Sequence, residues 1–437
     1  MNPIEIPSST NSLHKLGEYI MSYQPYQNAF LNALVNRIAM TIITSRLWSN
    51  PWARFKQGTM EYGETVEEIF VNIAKPHSFD PTVAEKEVWK IEKPDVRAAF
   101  HTMNYRKFYK VSISTAQLRQ AFLSAEGMSD LIAYIVDALY TAMNYDEFLT
   151  MKYMVCRAIV NGYVYPVTTK AVTGADADPK DSIIKYREFT NNLTFLKTDY
   201  NMAGVYNATP IGEQVIIIPN AIEAVQGVEV LANAFNLSQA DYISERIALD
   251  SFEFTAAETE RLGELFGDDP DYTPIAGADL TLLQSVNGFK CDYRWFMIFL
   301  NHQEMTQLYN GEGLYWQYWL HNWETFSISP FANAIVFTST ANTITGVTVS
   351  PASANVTQGS DLQMTASVQG TGIFKKTVTW EIAAGGEGSL APGTTIDPSS
   401  GRLHVAADQT AESTITVTAN AVDGHKGTAT ITVKASE

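Results

Sequence analysis

Two groups of residues have types and spacing that could bind a metal ion. The stretch Gly267-Asp268-Asp269-Pro270-Asp271 places three carboxylates in a turn, and Ca²⁺ prefers several carboxylate oxygens. It lacks the central Gly and distal Glu of an EF-hand loop, so we interpret it as a solvated acidic turn. His302 and Glu304, with His321 downstream, could offer nitrogen and oxygen ligands to zinc. Their spacing is not His-Glu-x-x-His and no third ligand stands out, so we predict no metal site and no cofactor.

The residue patterns of common enzyme sites give no candidate for catalysis. Gly311-Glu312-Gly313 lacks the third glycine and the preceding strand of a nucleotide-binding loop, and we interpret it as a hairpin turn. No Gly-x-Ser-x-Gly elbow occurs, and no carboxylate pair stands out in so acidic a chain. Cys156 and Cys291 lie in unlike contexts and are expected to be buried free thiols. We predict that the protein is not an enzyme.

An aromatic run from Leu314 to Trp319, continuing to Trp323 and Phe326, could stack sugars or bases. Such platforms are normally accompanied by Arg or Lys, and this run contains neither. We therefore favour core strands or a subunit interface. Basic residues do concentrate near the N-terminus, where only Glu5 and Glu18 oppose them before position 60; they are Lys15, Arg37, Arg46, Arg54 and Lys56. We expect this segment to contact a neighbouring subunit.

The composition favours a chain that buries part of its surface in interfaces with other chains. Charged residues make up 18% of the 437 residues, aromatic residues make up 11%, and the net charge is −17. Protein interfaces are depleted in charged residues and enriched in aromatic residues. The negative net charge argues against a protein that binds nucleic acid by neutralising its phosphates. No secretory signal pattern follows Met1, and no apolar stretch approaches the length of a membrane span. We expect synthesis and folding in the cytoplasm.

The body of the chain mixes helix and strand. Apolar spacing predicts one helix from Ser129, as N-cap, to Gly162, as C-cap. Two strand-rich arms are predicted at Phe55–Ile73 and Val88–Ile113, and they contain few residues that could form a hydrophobic core of their own. Further helices are predicted at Phe30–Ile43, Ile183–Leu196 and Val228–Phe235, and further strands at Gln214–Ile218, Trp295–Leu300, Leu314–Thr325 and Ala334–Phe337.

The composition changes abruptly near Thr340, and we place a domain boundary there. The tail alternates apolar and polar residues as short strands do, with Trp380 as its one tryptophan. Five short stretches of the tail resemble the bacterial Ig-like group 2 domain. They are Val347 to Pro351, Gln358-Gly359, Val378 to Trp380, Ser400-Gly401 and Gly427 to Val433. The resemblance implies a small β-sandwich over residues 343–437 with Trp380 in its core.

The order of parts in the body resembles the major capsid proteins of tailed double-stranded DNA bacteriophages, which have the Hong Kong 97 fold. The stretches that match the small Bacillus-type podophage branch are Phe30–Ile43, Gly63–Phe70, Lys107–Tyr109, Gly313–Trp316 and Ser329–Ala334. The resemblance implies an α+β class: an N-terminal arm at 1–50, an extended loop at 51–112, and peripheral and axial domains at 113–338. The predicted helix at 129–161 would be the spine helix.

The resemblance also implies function and partners. Copies of the chain would assemble as pentamers and hexamers into an icosahedral virion head around packaged DNA, bound without sequence specificity, with scaffolding and portal proteins as further partners and no membrane. We hypothesise that an acidic cluster on the extended loop pairs with basic residues across a subunit boundary. The acidic residues are Glu61, Glu64, Glu67 and Glu68, and the basic residues are Arg97, Arg106, Lys107 and Lys110. The alternative is a bacterial surface-binding protein that uses its Ig-like domain, and a third possibility is a carbohydrate-active enzyme.

Overall fold

The computed structural model describes residues 47–60, 65–77, 94–114, 125–174, 177–227, 245–386 and 388–436, with the side chains of 125–133 left aside. The helices predicted at Phe30–Ile43 and Val228–Phe235 lie outside the described residues. So do Glu61, Glu64, and the basic residues Lys15, Arg37 and Arg46. We call residues up to 338 the body and residues from 343 onward the tail.

One long helix, α1 (Ala125–Val160), runs through the body. Its 36 residues span about 54 Å at 1.5 Å per residue. It begins four residues before the predicted N-cap Ser129, and it stops where predicted. Gly162 adopts a left-handed φ of 68°. Its N–H donates to the Ile159 carbonyl and the Tyr163 N–H donates to the Ala158 carbonyl, a Schellman motif that satisfies the last carbonyls of the helix.

The centre of the body is a five-stranded mixed sheet in the order β5-β11-β8-β6-β7. Its strands are β5 (Tyr165–Thr168), β6 (Gln214–Pro219), β7 (Glu245–Leu249), β8 (Val286–Asp292) and β11 (Ala334–Thr338). The strand β6 is buried on both faces, as its unbroken apolar run requires. Val215 and Ile217 pack in the cluster that holds α1, whereas Ile216 and Ile218 pack with Tyr186 of the helix α2 on the other face.

Shorter helices surround this sheet. They are α2 (Pro179–Asn192), α3 (Asn220–Gln226), α4 (Ala256–Phe266) and α5 (Ala278–Gln284). The helix α2 begins and ends four residues before the predicted Ile183–Leu196. The helix α4 starts with a capping box, in which Thr255 and Glu258 satisfy each other's backbone N–H groups.

A second sheet of the body has the order β1-β9-β10-β4. Its strands are β1 (Lys56–Thr59), β4 (Tyr105–Ser114), β9 (Phe296–Asn310) and β10 (Tyr315–Ile328). The two longest strands form a hairpin whose turn contains Gly311-Glu312-Gly313, as predicted. One face of this sheet packs against α1 through Leu320, which is fully buried beside Leu139 and Met143.

Two further strands, β2 (Val66–Val71) and β3 (Val96–His101), pair antiparallel as an isolated two-stranded sheet, here called the ribbon. A two-stranded sheet is at best marginally stable in water by itself. Its order must come from whatever its two faces contact.

The tail is all-β. Its strands are β12 (Thr343–Ser350), β13 (Ser353–Thr357), β14 (Asp361–Gln363), β15 (Thr365–Thr371), β16 (Thr379–Gly385), β17 (Thr395–Ile396), β18 (Arg402–His404), β19 (Thr414–Asn420) and β20 (Lys426–Lys434). They form sheets of the orders β12-β15, β13-β20-β19-β16 and β14-β18-β17. Trp380 of β16 is 5% exposed and packs with Leu403, Ile415 and Ile431 in one core.

Candidate assembly surfaces

The inner face of the ribbon is fixed to the body of its own subunit. Phe70 stacks on Phe331 with ring centroids 5.4 Å apart. Ser329 donates a hydrogen bond of 2.7 Å to Glu68, whose other oxygen lies 3.3 Å from His101 Nε2. Arg97 donates to the carbonyl of Ala203 at 2.6 Å. Glu68 and Arg97 therefore hold the ribbon on its own subunit. Their pairing across a subunit boundary stays a prediction.

The outer face of the ribbon is apolar and exposed. Ile69, Val71, Val96 and Phe100 are 58%, 62%, 50% and 67% exposed. Glu67 lies on this face too, paired across the ribbon with Phe100. Contiguous apolar patches on a protein surface mark interaction sites. Of the two acidic residues in the hypothesis that the structure describes, Glu67 lies on this surface and Glu68 does not.

The strand β4 does not pair with the ribbon, although three predicted contact residues lie on it. It pairs with β10, so its alternate residues fall on the two faces of the second sheet. Arg106 and Lys110 are exposed on the face away from α1. Lys107 points the other way, with its ammonium 5.8 Å from the ring of Phe266. The structure thus separates Lys107 from the other two.

The aromatic run becomes the strand β10, with Leu320 in the core and Trp319 and Trp323 half-buried. The prediction of core strands is confirmed for its inner residues. The basic residues that the run lacks come from β4: the Arg106 guanidinium lies over Trp323 and the Lys110 ammonium over Trp319.

The candidate metal ligands do not form a metal site. His302, Glu304 and His321 share one face of the second sheet, and His302 pairs with Glu304 at 3.3 Å. Asp269 lies in an exposed turn, where it accepts a hydrogen bond from the backbone of Asp271. Among the described residues, no three His, Cys, Asp or Glu side chains are arranged to hold a metal ion. Both cysteines, Cys156 and Cys291, are free and buried, as predicted.

A buried ionic cluster joins the start of β1 to the body. Lys56 Nζ lies 2.7 Å from Glu147 of α1 and 2.6 Å from Glu324 of β10, and both carboxylates are buried. Burial and the neighbouring Glu147 raise the pKa of Glu324 to about 7. Arg54 pairs with Glu245. Arg54 and Lys56 therefore bind carboxylates of their own subunit. The expected contact of the N-terminal segment with a neighbour stays a prediction.

The loop between β15 and β16 joins the tail to the body. Ile373 packs into the main core of the body. Lys375 is 5% exposed and donates hydrogen bonds of 2.8 and 2.6 Å to the carbonyls of Asp199 and Asn201. The next residue, Lys376, bonds through its backbone N–H to Gly162 and through its ammonium to Val160. Burial lowers the pKa of Lys375 to about 8. Nothing in the sequence had indicated this loop.

Comparison with solved structures identifies the fold. The structure is similar to a chain in the capsid structure of Staphylococcus phage Andhra, with a TM-score of 0.54, 15% identity, and coverage of 70% of this chain and 88% of that one. It is also similar to a chain from the structure of head fiber and inner core protein gp22 of native bacteriophage P68. The TM-score is 0.55 and the identity 15%, and the match covers 70% of this chain and 88% of that one. The mixed α and β fold of this chain therefore matches folds found in phage capsids.

The sequence comparisons define the family. The model of the Phi29-like phage major capsid protein matches residues 6–338. The major capsid protein of Bacillus phage PZA is 30% identical over 392 residues, which cover 89% of this chain and 81% of that protein. The major capsid protein of Bacillus phage B103 is 30% identical over 415 residues, 94% and 85% of the two chains. The chain belongs to the Phi29-like phage major capsid protein family.

Membership in this family establishes the broad function of the protein. The protein is a structural component of the virion, built into the head shell from copies of itself, and it is not an enzyme. This function replaces the two alternatives considered from the sequence, a bacterial surface-binding protein and a carbohydrate-active enzyme. In the described part of the chain, no helix is both long and apolar enough to cross a membrane.

Proposed function

We propose that this chain forms the pentamers and hexamers of an icosahedral head that encloses packaged double-stranded DNA. The observation that carries the proposal is the exposed apolar face of the ribbon. A two-stranded ribbon fixed on one side and apolar on the other gains stability when a second copy covers it. A closed shell provides such a neighbour at every position.

The division of the chain follows the Hong Kong 97 pattern in this proposal. Residues 1–50 are the N-terminal arm, 51–112 the extended loop, and 113–338 the peripheral and axial domains. The ribbon supports the second assignment, and the single 36-residue helix α1 supports its role as the spine of the peripheral domain. The five-stranded sheet and the hairpin β9–β10 then belong to the remaining body.

The tail, residues 343–437, is proposed to be an Ig-like group 2 sandwich. Short strands in several sheets around one core, with the single buried Trp380, support this. The family match also ends at residue 338, just before the tail begins.

The remaining partners follow from assembly. Scaffolding and portal proteins would guide closure of the shell, and DNA would be in contact without sequence-specific binding. The net charge of −17 supports this last point, since an acidic wall repels phosphates and leaves the polymer free to slide.

Negative-stain microscopy of the protein, expressed alone and with the scaffolding protein of its phage, tests the proposal. Closed shells of uniform size are expected, and only monomers or irregular aggregates under both conditions would contradict it. Two adjacent residues provide a matched pair of variants. Glu67→Lys should leave the melting temperature of the monomer unchanged and reduce shell yield. Glu68→Lys should lower that melting temperature, because it breaks the bonds to Ser329 and His101.

A further inference from the structure

The buried ionic cluster at the start of β1 holds two carboxylates and one ammonium. Lys56 Nζ lies 2.7 Å from Glu147 of α1 and 2.6 Å from Glu324 of β10. The two glutamate side chains are 1% and 0% exposed, whereas that of Lys56 is 23% exposed. In the described part of the chain, neither carboxylate pairs with a second cation. The cluster therefore carries one excess negative charge when both glutamates are ionised, and Lys56 closes it toward solvent.

The two carboxylates differ in their hydrogen bonds. Glu147 accepts from Lys56 and, at 2.7 Å, from the amide of Asn50. Glu324 accepts from Lys56 through Oε1, whereas its Oε2 has no hydrogen-bond partner among the described residues. The amide of Asn322, fully buried two residues earlier on the same face of β10, has none among them either. A buried carboxylate oxygen without a partner favours the protonated form of the acid.

The groups of β4, α1 and α4 around Glu324 do not balance this charge. Tyr105 of β4 lies opposite Glu324, and burial raises the pKa of its hydroxyl, so it stays neutral. That hydroxyl contacts the hydroxyl of Tyr109, which donates to Asp146 of α1 at 2.8 Å. Arg261 of α4 binds both oxygens of Asp146. This second ion pair is neutral as a unit and leaves the charge at Glu324 uncompensated.

The remaining neighbours on the second sheet leave it uncompensated too. Lys107 lies opposite Asn322 in the pairing of β4 with β10. Its ammonium, however, lies 5.8 Å from the ring of Phe266. Leu300, opposite Glu324 on β9, does not titrate. Two carboxylates that share one cation away from water hold a proton more readily than two separate acids.

The raised pKa sets the direction of the effect. Burial and the neighbouring Glu147 raise the pKa of Glu324 from 4.5 to about 7. When β1 detaches, Lys56 leaves with it, water enters, and the pKa of Glu324 returns to its ordinary value. Between these two pKa values the attached state holds a proton that the detached state has given up. Detachment therefore becomes about tenfold easier for each pH unit in this range, and its pH dependence vanishes outside the range.

We propose that Glu147 and Glu324 hold one proton between them while β1 is attached to the rest of the body, and that this proton passes to solvent water when β1 detaches. The cluster is then a pH-sensitive latch on β1. Attachment is tightest in acid and loosens as the pH rises to neutrality. The inference concerns a single subunit and goes beyond the proposed function, so its failure would leave the proposed function unaffected.

Hydrogen–deuterium exchange of the full-length protein at pH 5 and pH 7, corrected for the intrinsic effect of pH on amide exchange, tests the latch. The amides of β1 and of Met60, which donates to the Leu300 carbonyl, report the attachment. Their protection in wild type should fall by up to about 100-fold between pH 5 and pH 7. Glu324→Gln, which resembles the protonated acid, should keep at pH 7 the protection that wild type has at pH 5.

A second lysine between two carboxylates supplies the matched control. Lys152 Nζ lies 3.3 Å from Asp250 and 3.0 Å from Glu258, but the side chain of Asp250 is 57% exposed. Asp250→Asn makes the same change of charge and should leave the pH dependence of β1 as it is in wild type. Loss of that dependence in Asp250→Asn as well would overturn its assignment to Glu324.

Other results would overturn the latch itself. One is protection of β1 that does not change between pH 5 and pH 7, and another is the wild-type dependence persisting in Glu324→Gln. Equal protection of β1 and β6 at both pH values would also overturn it, because β1 would then open only with the whole fold.

A direct measurement of the proton covers the case in which Glu324→Gln does not fold. Infrared difference spectra of wild type should show the carbonyl stretch of a protonated carboxylic acid that disappears with a midpoint near neutral pH. Glutamate labelled with ¹³C at the side-chain carboxyl shifts this band and so separates it from Asp292, whose pKa burial also raises. Absence of a glutamate band that titrates near neutrality overturns the proposal.

Discussion

Replacement of Lys375 by Met should remove a specific rise of stability with pH. Burial lowers the pKa of Lys375 from 10.5 to about 8 in the folded protein. Between these two values the unfolded chain holds a proton that the folded protein has released, so raising the pH favours the folded state. One pKa unit corresponds to about 1.4 kcal/mol. The full gain is therefore about 3 kcal/mol, of which about 2 kcal/mol falls between about pH 7.5 and pH 10.

The assay is urea unfolding of wild type and Lys375→Met at these two pH values. Other groups also contribute in this range, among them Cys156 and Cys291, which lose protons in the unfolded chain but have pKa values raised by burial in the folded protein. Their effect is the same in both proteins and cancels in the difference. The stability gap between wild type and variant should move by about 2 kcal/mol in favour of wild type as the pH rises.

A neighbouring lysine supplies the control. Lys376→Met removes a hydrogen bond to the Val160 carbonyl from the same loop but leaves Lys375 in place. It should keep the wild-type dependence on pH. A gap between wild type and Lys375→Met that does not change with pH would refute the reasoning, because it would mean that water reaches this ammonium in the folded protein.

Three further predictions concern the tail, its junction with the body and the acidic turn. Trp380→Ala should lower the free energy of unfolding by about 3–5 kcal/mol in urea titrations, the usual effect of emptying a buried aromatic site. Gly162→Ala should lower the melting temperature, at a cost of about 1–2 kcal/mol, because φ is positive and an added Cβ would overlap the Phe374 carbonyl. EDTA should leave both melting and assembly unchanged, and a reproducible fall would show that Asp268, Asp269 and Asp271 hold an ion.

Long periodic segments could be predicted from the sequence. The helix α1 ends at the predicted glycine, and β6, β10 and β11 match their predicted ranges closely. In each case one strong pattern decides the structure: helical spacing for α1, an apolar run for β6 and β11, and a run of aromatic residues for β10. The helices α3, α4 and α5 were missed, since each is 11 residues or shorter and shows only a weak repeat.

The surfaces could be predicted only in part, because strand pairing decides them. Glu67 and Glu68 are adjacent, so one must face outward and the other inward, and nothing local says which. The alternate residues Glu67, Ile69 and Val71 could have indicated the outer face of the ribbon. Phe70 on the opposite face is apolar too, so the alternation of apolar and polar residues is weak. The cations beside Trp319 and Trp323 come from β4, about two hundred residues earlier, and no pattern within the aromatic run reveals them.

The order of pairing in the body also affects when the protein can begin to assemble. The strand β11, the last of the body, lies between β5 and β8, and β10 is the partner of β4. Neither sheet is complete until the ribosome has translated nearly to residue 338, and Ile373 and Lys375 arrive later still. At about 5–20 residues per second, the chain spends tens of seconds without a finished body. Shorter nascent chains on one messenger therefore lack a complete second sheet, so contacts between copies that use this sheet form only late in translation or after it.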